Sequence, residues 1–374
     1  MSRHGKGEGS IYRRRDGRYV AAITLQSGHR RYFYGRTRRE AYSKYLKARR
    51  NLEDGLPLAP ERLKVGEYLI RWLEDSVKPT VRPYTLASYA TLVCRHIVPE
   101  LGNLRLGSLT PQDIQGFLNK KREAGLSPRS VQYIHAVLRR ALGQAERWGL
   151  VPRNVARLVS PPRVPKAEIQ PLTPAEAKRF LAAVREDRLE ALYTVALAVG
   201  LRQGEALGLR WQDVNLAAGT LSVRVSLQRE VNRYVLAETK TDRSRRTVKL
   251  PDVCLAALRK HYQRQQEERT RIGEAWRNQW ELVFTEPDGS PLSRYAVTRR
   301  FQRVLENAGI AKHRFHDLRH TCATLLLAQG VPLRVVMETL GHSQMTTTAD
   351  IYAHVLPVLM ADAAQRINAV LVTP

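Results

Sequence analysis

The stretch HDLRHTCATLLLAQGVPLRVVMETLGHSQMTTTADIYAH, residues 316–354, has a helical pattern with short breaks and a dense set of groups able to act on phosphate. Apolar residues recur at helical spacing over 316–329 and 332–340, and a shorter threonine-rich helix is expected over 347–354. His316 and Arg319 are three residues apart, so they share one helix face. Gly341 follows Leu340 where a left-handed residue ends a helix, and His342 comes next. Tyr352 lies in the third helix. Far upstream, Gly200-Leu201-Arg202-Gln203-Gly204-Glu205 follows a nearly all-apolar and therefore central helix, 191–199. Thr239-Lys240-Thr241 forms a turn between two strands.

Taken singly, each signal has an ordinary structural explanation. Arg202 can be a capping arginine, Lys240 a solvated turn residue, His342 a loop histidine and Tyr352 a core tyrosine. An arginine at the end of a buried helix needs a partner, and Glu205, three residues on, is placed to hold it. His313, His316 and His320 invite a metal reading, but no carboxylate or cysteine completes a ligand set at the usual spacing, and Asp317 points elsewhere. Taken together, two arginines, two histidines, a lysine and a tyrosine can transfer a phosphoryl group without a metal. The arginines neutralise the phosphate, the tyrosine attacks it and the others move protons.

Composition agrees. The 374 residues suit two or three domains, and 43% hydrophobic content is enough for real cores. Lysine and arginine number 62 against 35 acids, a formal charge of +27, which points to a polyanion such as nucleic acid. Cys94, Cys254 and Cys322 have no CxxC spacing, so neither a zinc site nor a disulfide framework is indicated. No signal peptide or membrane span is read, and a reducing cytoplasm is the expected compartment.

Three domains are expected, in a mainly α chain. Residues 1–55 read as a small three-stranded sheet plus a helix. The strands fall at 10–14, 18–25 and 30–34, and Thr37 and Glu40 form a capping box. Tyr12, Tyr19, Tyr32 and Tyr34 interleave with arginine there. On one face these aromatics are expected to form a small core. The arginine excess on the other face, with Arg13, Arg14, Arg15, Arg18, Arg30 and Arg31 as candidates, suits phosphates. Residues 63–160 read as a helical domain, with helix starts at Thr110-Pro111 and Ser127-Pro128. A stiff basic linker carrying Arg163 and Lys166 leads to residues 170–374. That domain reads as mixed and mostly α, with a small antiparallel meander from strands at 220–227, 233–238 and 245–250. Its tail after Pro357 is apolar.

GLRQGE around Arg202, ETKT at Lys240, HDLRH, LGH and the tyrosine of DIYAH, in this order, resemble the tyrosine recombinase family, also called the phage integrase family. HIVPELGNLRLGSLTPQDIQ followed by LSPRSVQYIHAVLRRAL looks like the helical core-binding domain of integrases. GSIYRRRDGRYVAAI with TRREAYSKYL looks like their arm-binding domain. Val199 is a mild departure, since threonine is frequent there.

The resemblance implies a site-specific recombinase that integrates or excises a phage or mobile element, cutting one strand at a time. Tyr352 would form a 3′-phosphotyrosyl bond, with Arg202, Arg319 and His342 on the phosphate. Lys240 and His316 would handle protons, with their roles left open, and Glu205 would orient Arg202. No metal, ATP or other cofactor is implied. The implied partners are double-stranded attachment sites of core and arm type, three further copies in a homotetramer, an excisionase and a host DNA-bending protein. A type IB topoisomerase shares the chemistry but needs no arm module, and a chromosome-dimer resolvase lacks the N-terminal sheet. The apolar tail would fold back on its own domain or dock on a neighbour.

Overall fold

The computed structural model describes residues 11–24, 30–53, 62–165, 170–230, 233–238 and 245–341, together with Ala364, Ile367, Asn368 and Leu371. The chain divides into two compact units, Met1–Lys166 and Ala167–Pro374. It is mainly helical, with small antiparallel sheets.

The first unit opens with β1 (Ile11–Arg13), β2 (Tyr19–Thr24) and β3 (Arg30–Gly35), antiparallel in that order. Asp16 shapes the first turn by accepting the Arg18 amide at 3.1 Å. Register sets Ile11, Ala21 and Phe33 in one row and Tyr12, Val20 and Tyr34 in the next, on the other face. Helix α1 (Arg38–Glu53) covers the first face with Ala41, Tyr45 and Ala48. Thr37 caps it by accepting the Glu40 amide at 3.1 Å. The reciprocal bond reaches one residue further back than expected, from the Arg36 amide to Glu40 Oε2 at 2.9 Å. The expected tyrosine core is corrected. Tyr12, Tyr32 and Tyr34 stand exposed on the open face, and the core rings are Phe33 and Tyr45 with Tyr19 at the margin. Strand alternation assigns rows to faces, but only the helix decides which face is covered.

The helical part of this unit comprises α2 (Val65–Trp72), α3 (Pro83–Leu92), α4 (Val98–Leu101), α5 (Pro111–Glu123) and α6 (Pro128–Arg147). Short π-helical segments, Leu73–Val77 and Val93–Ile97, extend α2 and α3. Val65, Tyr68, Leu69 and Trp72 face Val131, Ile134, Leu138 and Leu142 in one core. The Tyr68 hydroxyl donates to the Ala141 carbonyl at 2.6 Å, which satisfies a polar atom inside that core. Thr110 and Asp113 form a reciprocal cap at α5.

In the second unit, α7 (Pro174–Ala183) starts at a Thr173–Glu176 capping box. Helix α8 (Glu190–Val199) is almost wholly buried, as its nearly all-apolar run requires, and α9 (Gln203–Leu207) follows. The strands are β4 (Val214–Asn215), β5 (Thr220–Val223), β6 (Val225–Glu230), β7 (Arg233–Glu238) and β8 (Arg246–Lys249). They form two sheets, ordered β4-β5-β8 and β6-β7, not one meander. The run 220–227 keeps a single in–out alternation, with Leu221, Val223 and Leu227 buried, while its hydrogen-bonding partner changes at Arg224. Side-chain period carries no information about which strand lies alongside, so the break is invisible in sequence.

Helices α10 (Asp252–Ile272), α11 (Arg294–Asn307), α12 (Asp317–Ala328) and α13 (Leu333–Leu340) complete the unit. Phe180, Tyr193, Phe301 and Phe315 interlock as an aromatic cluster, with ring centroids 5.6 to 6.3 Å apart. They fasten α7, α8 and α11 to the residue that precedes His316. Cys94, Cys254 and Cys322 are free thiols. Among the described residues no helix is long and apolar enough to cross a membrane. The expected helix at 347–354 and most of the tail lie outside the described residues.

Gly200 ends α8 at φ 68°, and a Cβ there would meet Leu340 Cδ2 at 2.3 Å and Cys322 Sγ at 3.3 Å. Gly309 has φ 60° but open space around it. Gly309→Ala should therefore cost only the left-handed backbone strain, about 1 to 2 kcal/mol. Gly200→Ala should add an overpacking penalty of about 1 to 3 kcal/mol. Urea midpoints of the two variants test this, and equal losses would mean that α13 yields freely at Leu340.

Candidate active site

The end of α8 and the starts of α9 and α12 converge. Gly200 turns the chain out of α8, and Arg202 sits at the N-terminus of α9. One carboxylate organises this corner. Glu205 Oε1 accepts Arg202 Nη1 at 2.6 Å, and Oε2 accepts the Arg202 amide at 3.1 Å. Oε2 also accepts Arg246 Nη2 at 2.9 Å. Glu205 is buried. Burial pushes its pKa up, but Arg246 and then Arg202 outweigh that and hold it below the usual carboxylate range.

Arg319 lies on the first turn of α12 and is 1% exposed. Its Nη1 donates to the Gly200 carbonyl at 2.7 Å, at the C-terminal end of α8 where helix carbonyls lack partners. Burial first and repulsion from Arg202 second push its pKa down to about 9, so it remains charged at neutral pH. His316 is the residue from which α12 starts. Burial, then His320, Arg319 and Arg202, push it down to about 4, so its ring is neutral at physiological pH. The His316 and His320 rings meet edge to face at 4.9 Å. Asp317 is turned away, held by Arg314 through Nη2 at 2.8 Å and through the backbone amide at 2.7 Å. Among the described residues no group of three or more His, Cys, Asp or Glu is arranged to hold a metal ion.

Four of the expected site residues are thus described and brought together: Arg202, Glu205, His316 and Arg319. Lys240, His342 and Tyr352 lie outside the described residues, as does Lys166. The segments leading to Lys240 and His342 are described. Arg202 Nη2 donates to the carbonyl of Gly341, the residue before His342, at 3.2 Å. Gly341 has the left-handed conformation expected of a helix end, φ 66° and ψ 49°. Lys240 falls between the end of β7 and the start of β8. Arg13, Arg14, Arg15, Arg18 and Arg30 are exposed on the N-terminal sheet and its first turn, while Arg31 is half-buried and Arg163 is exposed.

Sequence reasoning missed Arg246. Its side chain is 6% exposed, beside Glu205. A signal was present, since Arg246 is in phase with the inward Val248 and Leu250 and so reads as a charge on a core-facing strand. Beside His316 opens a cleft of about 870 Å³ lined by Gln203, Tyr295, Arg299 and Arg314. Tyr295 is 76% exposed there.

Arg202 and Arg246 share one carboxylate, Arg319 lies in its field, and His316 beside them is neutral. Such a cluster carries a net positive charge and suits an anion with several oxygen acceptors.

Comparison with known proteins agrees. The Phage integrase family profile matches residues 170–357, and the profile of the phage integrase N-terminal SAM-like domain matches residues 64–122. An integrase of Streptomyces ambofaciens is 32% identical, over 96% of this chain and 96% of its own length. A XerC-like tyrosine recombinase of Caldanaerobacter subterraneus subsp. tengcongensis is 30% identical, over 91% of each chain. The fold resembles that of the Tn1549 transposon integrase in complex with a circular intermediate DNA. The TM-score is 0.68 at 19% identity, over 81% of this chain and 99% of the other. The chain belongs to the phage integrase family and is a site-specific recombinase of the tyrosine type.

Proposed function

We propose that the chain binds double-stranded DNA attachment sites and exchanges their strands through Tyr352. The tyrosine oxygen attacks the scissile phosphorus, a P–O bond to Tyr352 forms, and the bond to the 5′ oxygen breaks. The 3′ end stays on the protein until a 5′ hydroxyl of the partner duplex reverses the step. The observation that carries this reading is the anion-seeking cluster of Arg202 and Arg319 beside a neutral His316. Guanidinium groups held in place before the reaction stabilise charge that grows on the phosphate oxygens. His342 adds a donor. Neutral His316 can take the tyrosine proton, and Lys240 can give one to the leaving 5′ oxygen. Exchange between two duplexes breaks four strands, so four copies assemble. An excisionase and a host DNA-bending protein set the direction.

Residues 1–55 form a second DNA site in this scheme. The exposed Tyr12, Tyr32 and Tyr34 of the sheet and the Arg14 guanidinium 5.8 Å from the Tyr34 ring centroid support it. Joining two DNA sites in one chain raises the effective concentration of each for the other.

Cleavage of a nicked suicide duplex tests the centre. Tyr352→Phe should bind DNA but form no covalent adduct, and adducts in that variant would move the search to the exposed Tyr295. Arg202→Ala and Arg319→Ala should each slow cleavage by about 10² to 10³. Lys240→Ala should recover on a substrate whose 5′ oxygen is replaced by sulfur, and no recovery removes Lys240 from the general-acid role.

The depressed histidine also has a signature in stability. His316 titrates near its ordinary value of 6.5 when unfolded and at about 4 when folded. Below 6.5 the unfolded chain binds the extra proton, so stability is complete above 6.5 and falls as pH drops towards 4. His316→Gln should flatten part of that fall in urea titrations. His261, also pushed down to about 4 by burial, and His320 and His96, pushed down chiefly by burial, keep a share of it. An unchanged slope in the variant argues that the His316 ring is solvated.

Deleting residues 1–55 should spare cleavage at an isolated core site and impair joining of full attachment sites. The logarithm of affinity of the full chain for arm-site DNA should fall more steeply with salt than that of the deletion, by about 0.9 per lost phosphate contact. Equal slopes would show that these residues touch no DNA.

A further inference from the structure

The site has a second arginine behind its first. Arg246 opens β8, the strand that follows the segment carrying Lys240. It is nearly as buried as the carboxylate it meets, with side-chain exposures of 6% and 4%. Its guanidinium spans two elements. Nη2 donates to Glu205 Oε2 at 2.9 Å, and Nε donates to the Thr339 carbonyl in the last turn of α13 at 2.7 Å. Arg202 grips the same two elements from the other side, through Glu205 Oε1 and the Gly341 carbonyl. One carboxylate and one helix end are therefore held between two guanidinium groups.

We propose that Arg246 is a positioning residue for strand cleavage: it shares Glu205 with Arg202 and joins the strand after Lys240 to the helix that ends before His342. The inference rests on the proposed reaction at Tyr352. Two physical consequences give it content. First, a carboxylate facing Arg202 alone can accept both of its donor edges and draw its charge away from a bound phosphate. With one oxygen committed to Arg246, Glu205 orients Arg202 and leaves its outer edge for an anion. Second, Lys240 and His342 come from segments that no local sequence contact joins. Arg246 spans both flanks with one rigid planar group. Lysine has a single nitrogen on a flexible stem, so it can satisfy Glu205 or Thr339 at a time but not both in this geometry.

The test uses the full chain and a nicked suicide duplex at saturating concentration. Misplacement of reacting groups by about 1 Å slows a reaction about 10²-fold, so Arg246→Met should lower the saturating single-turnover cleavage rate by about that factor. Duplex affinity should stay near the parent's, because the buried side chain offers no surface to DNA. Arg246→Lys should recover part of the rate.

The single Met variant leaves Glu205 with half its partners, so loss of fold is controlled by Glu205→Gln combined with Arg246→Met, which removes both charges together. That double variant should melt closer to the parent than Arg246→Met does, yet cleave no faster, with the two rate losses clearly non-additive. A parental saturating rate in Arg246→Met overturns the proposal. So does a rate that returns with the melting temperature in the double variant, or a Lys variant as slow as Met. Tyr352→Phe runs in parallel. Adducts in that variant defeat the reaction scheme itself, whereas their loss alongside normal cleavage by the Arg246 variants defeats only this inference.

Discussion

The site depends on one buried carboxylate. Glu205 is 5% exposed and would lose its charge in an apolar interior. It keeps that charge because Arg246 and Arg202 supply opposite charges at 2.9 and 2.6 Å. Removing Arg246 or Glu205 leaves the other buried and unbalanced, a situation more damaging than replacing both by apolar groups. The cluster is therefore a poor device for stability and a good one for function. It fixes guanidinium groups where solvent would otherwise let them wander, so little reorganisation would remain for the phosphate of the proposed reaction.

Positive charge in excess is the second constraint. Arg319, its charge opposed by burial and by Arg202, donates to the carbonyl of Gly200. A carbonyl orients a guanidinium without neutralising it. His316 is kept neutral by the same field, because burial and three neighbouring basic groups all disfavour a second proton. Charge and base capacity thus come from one arrangement. The cations that would meet the phosphate also hold the nearby ring in the form that can accept a proton.

Much of this was legible from local chemistry. Thr110, Ser127 and Thr173 announced helix starts, and each accepts an amide as expected. Gly341 announced a helix end, and His316 and Arg319 announced a shared face by their spacing. What stayed hidden was non-local. The 220–227 run alternates correctly but serves two sheets, because pairing partners are chosen by tertiary packing. Tyr12, Tyr32 and Tyr34 are in phase with one another, yet nothing in their order says that α1 covers the opposite face. Arg246 is the instructive miss. Among so many surface arginines, a charge in phase with Val248 and Leu250 looks like noise until Glu205, 41 positions away, is placed opposite it.

The same non-local bonds explain why the motifs come as a set. Arg202 bonds to Gly341 across 139 positions, Arg246 to Thr339 across 93, and Arg319 to Gly200 across 119. In each case a guanidinium meets a backbone carbonyl at or beside a helix end. Such carbonyls are available whatever side chain the position carries, so the latches constrain backbone position more than sequence. Glycine at 200 and 341 then follows from geometry, since both residues turn the chain through the left-handed region beside a latch. Among the described residues, the signatures around Arg202 and Arg319 are places where an arginine latches a helix end.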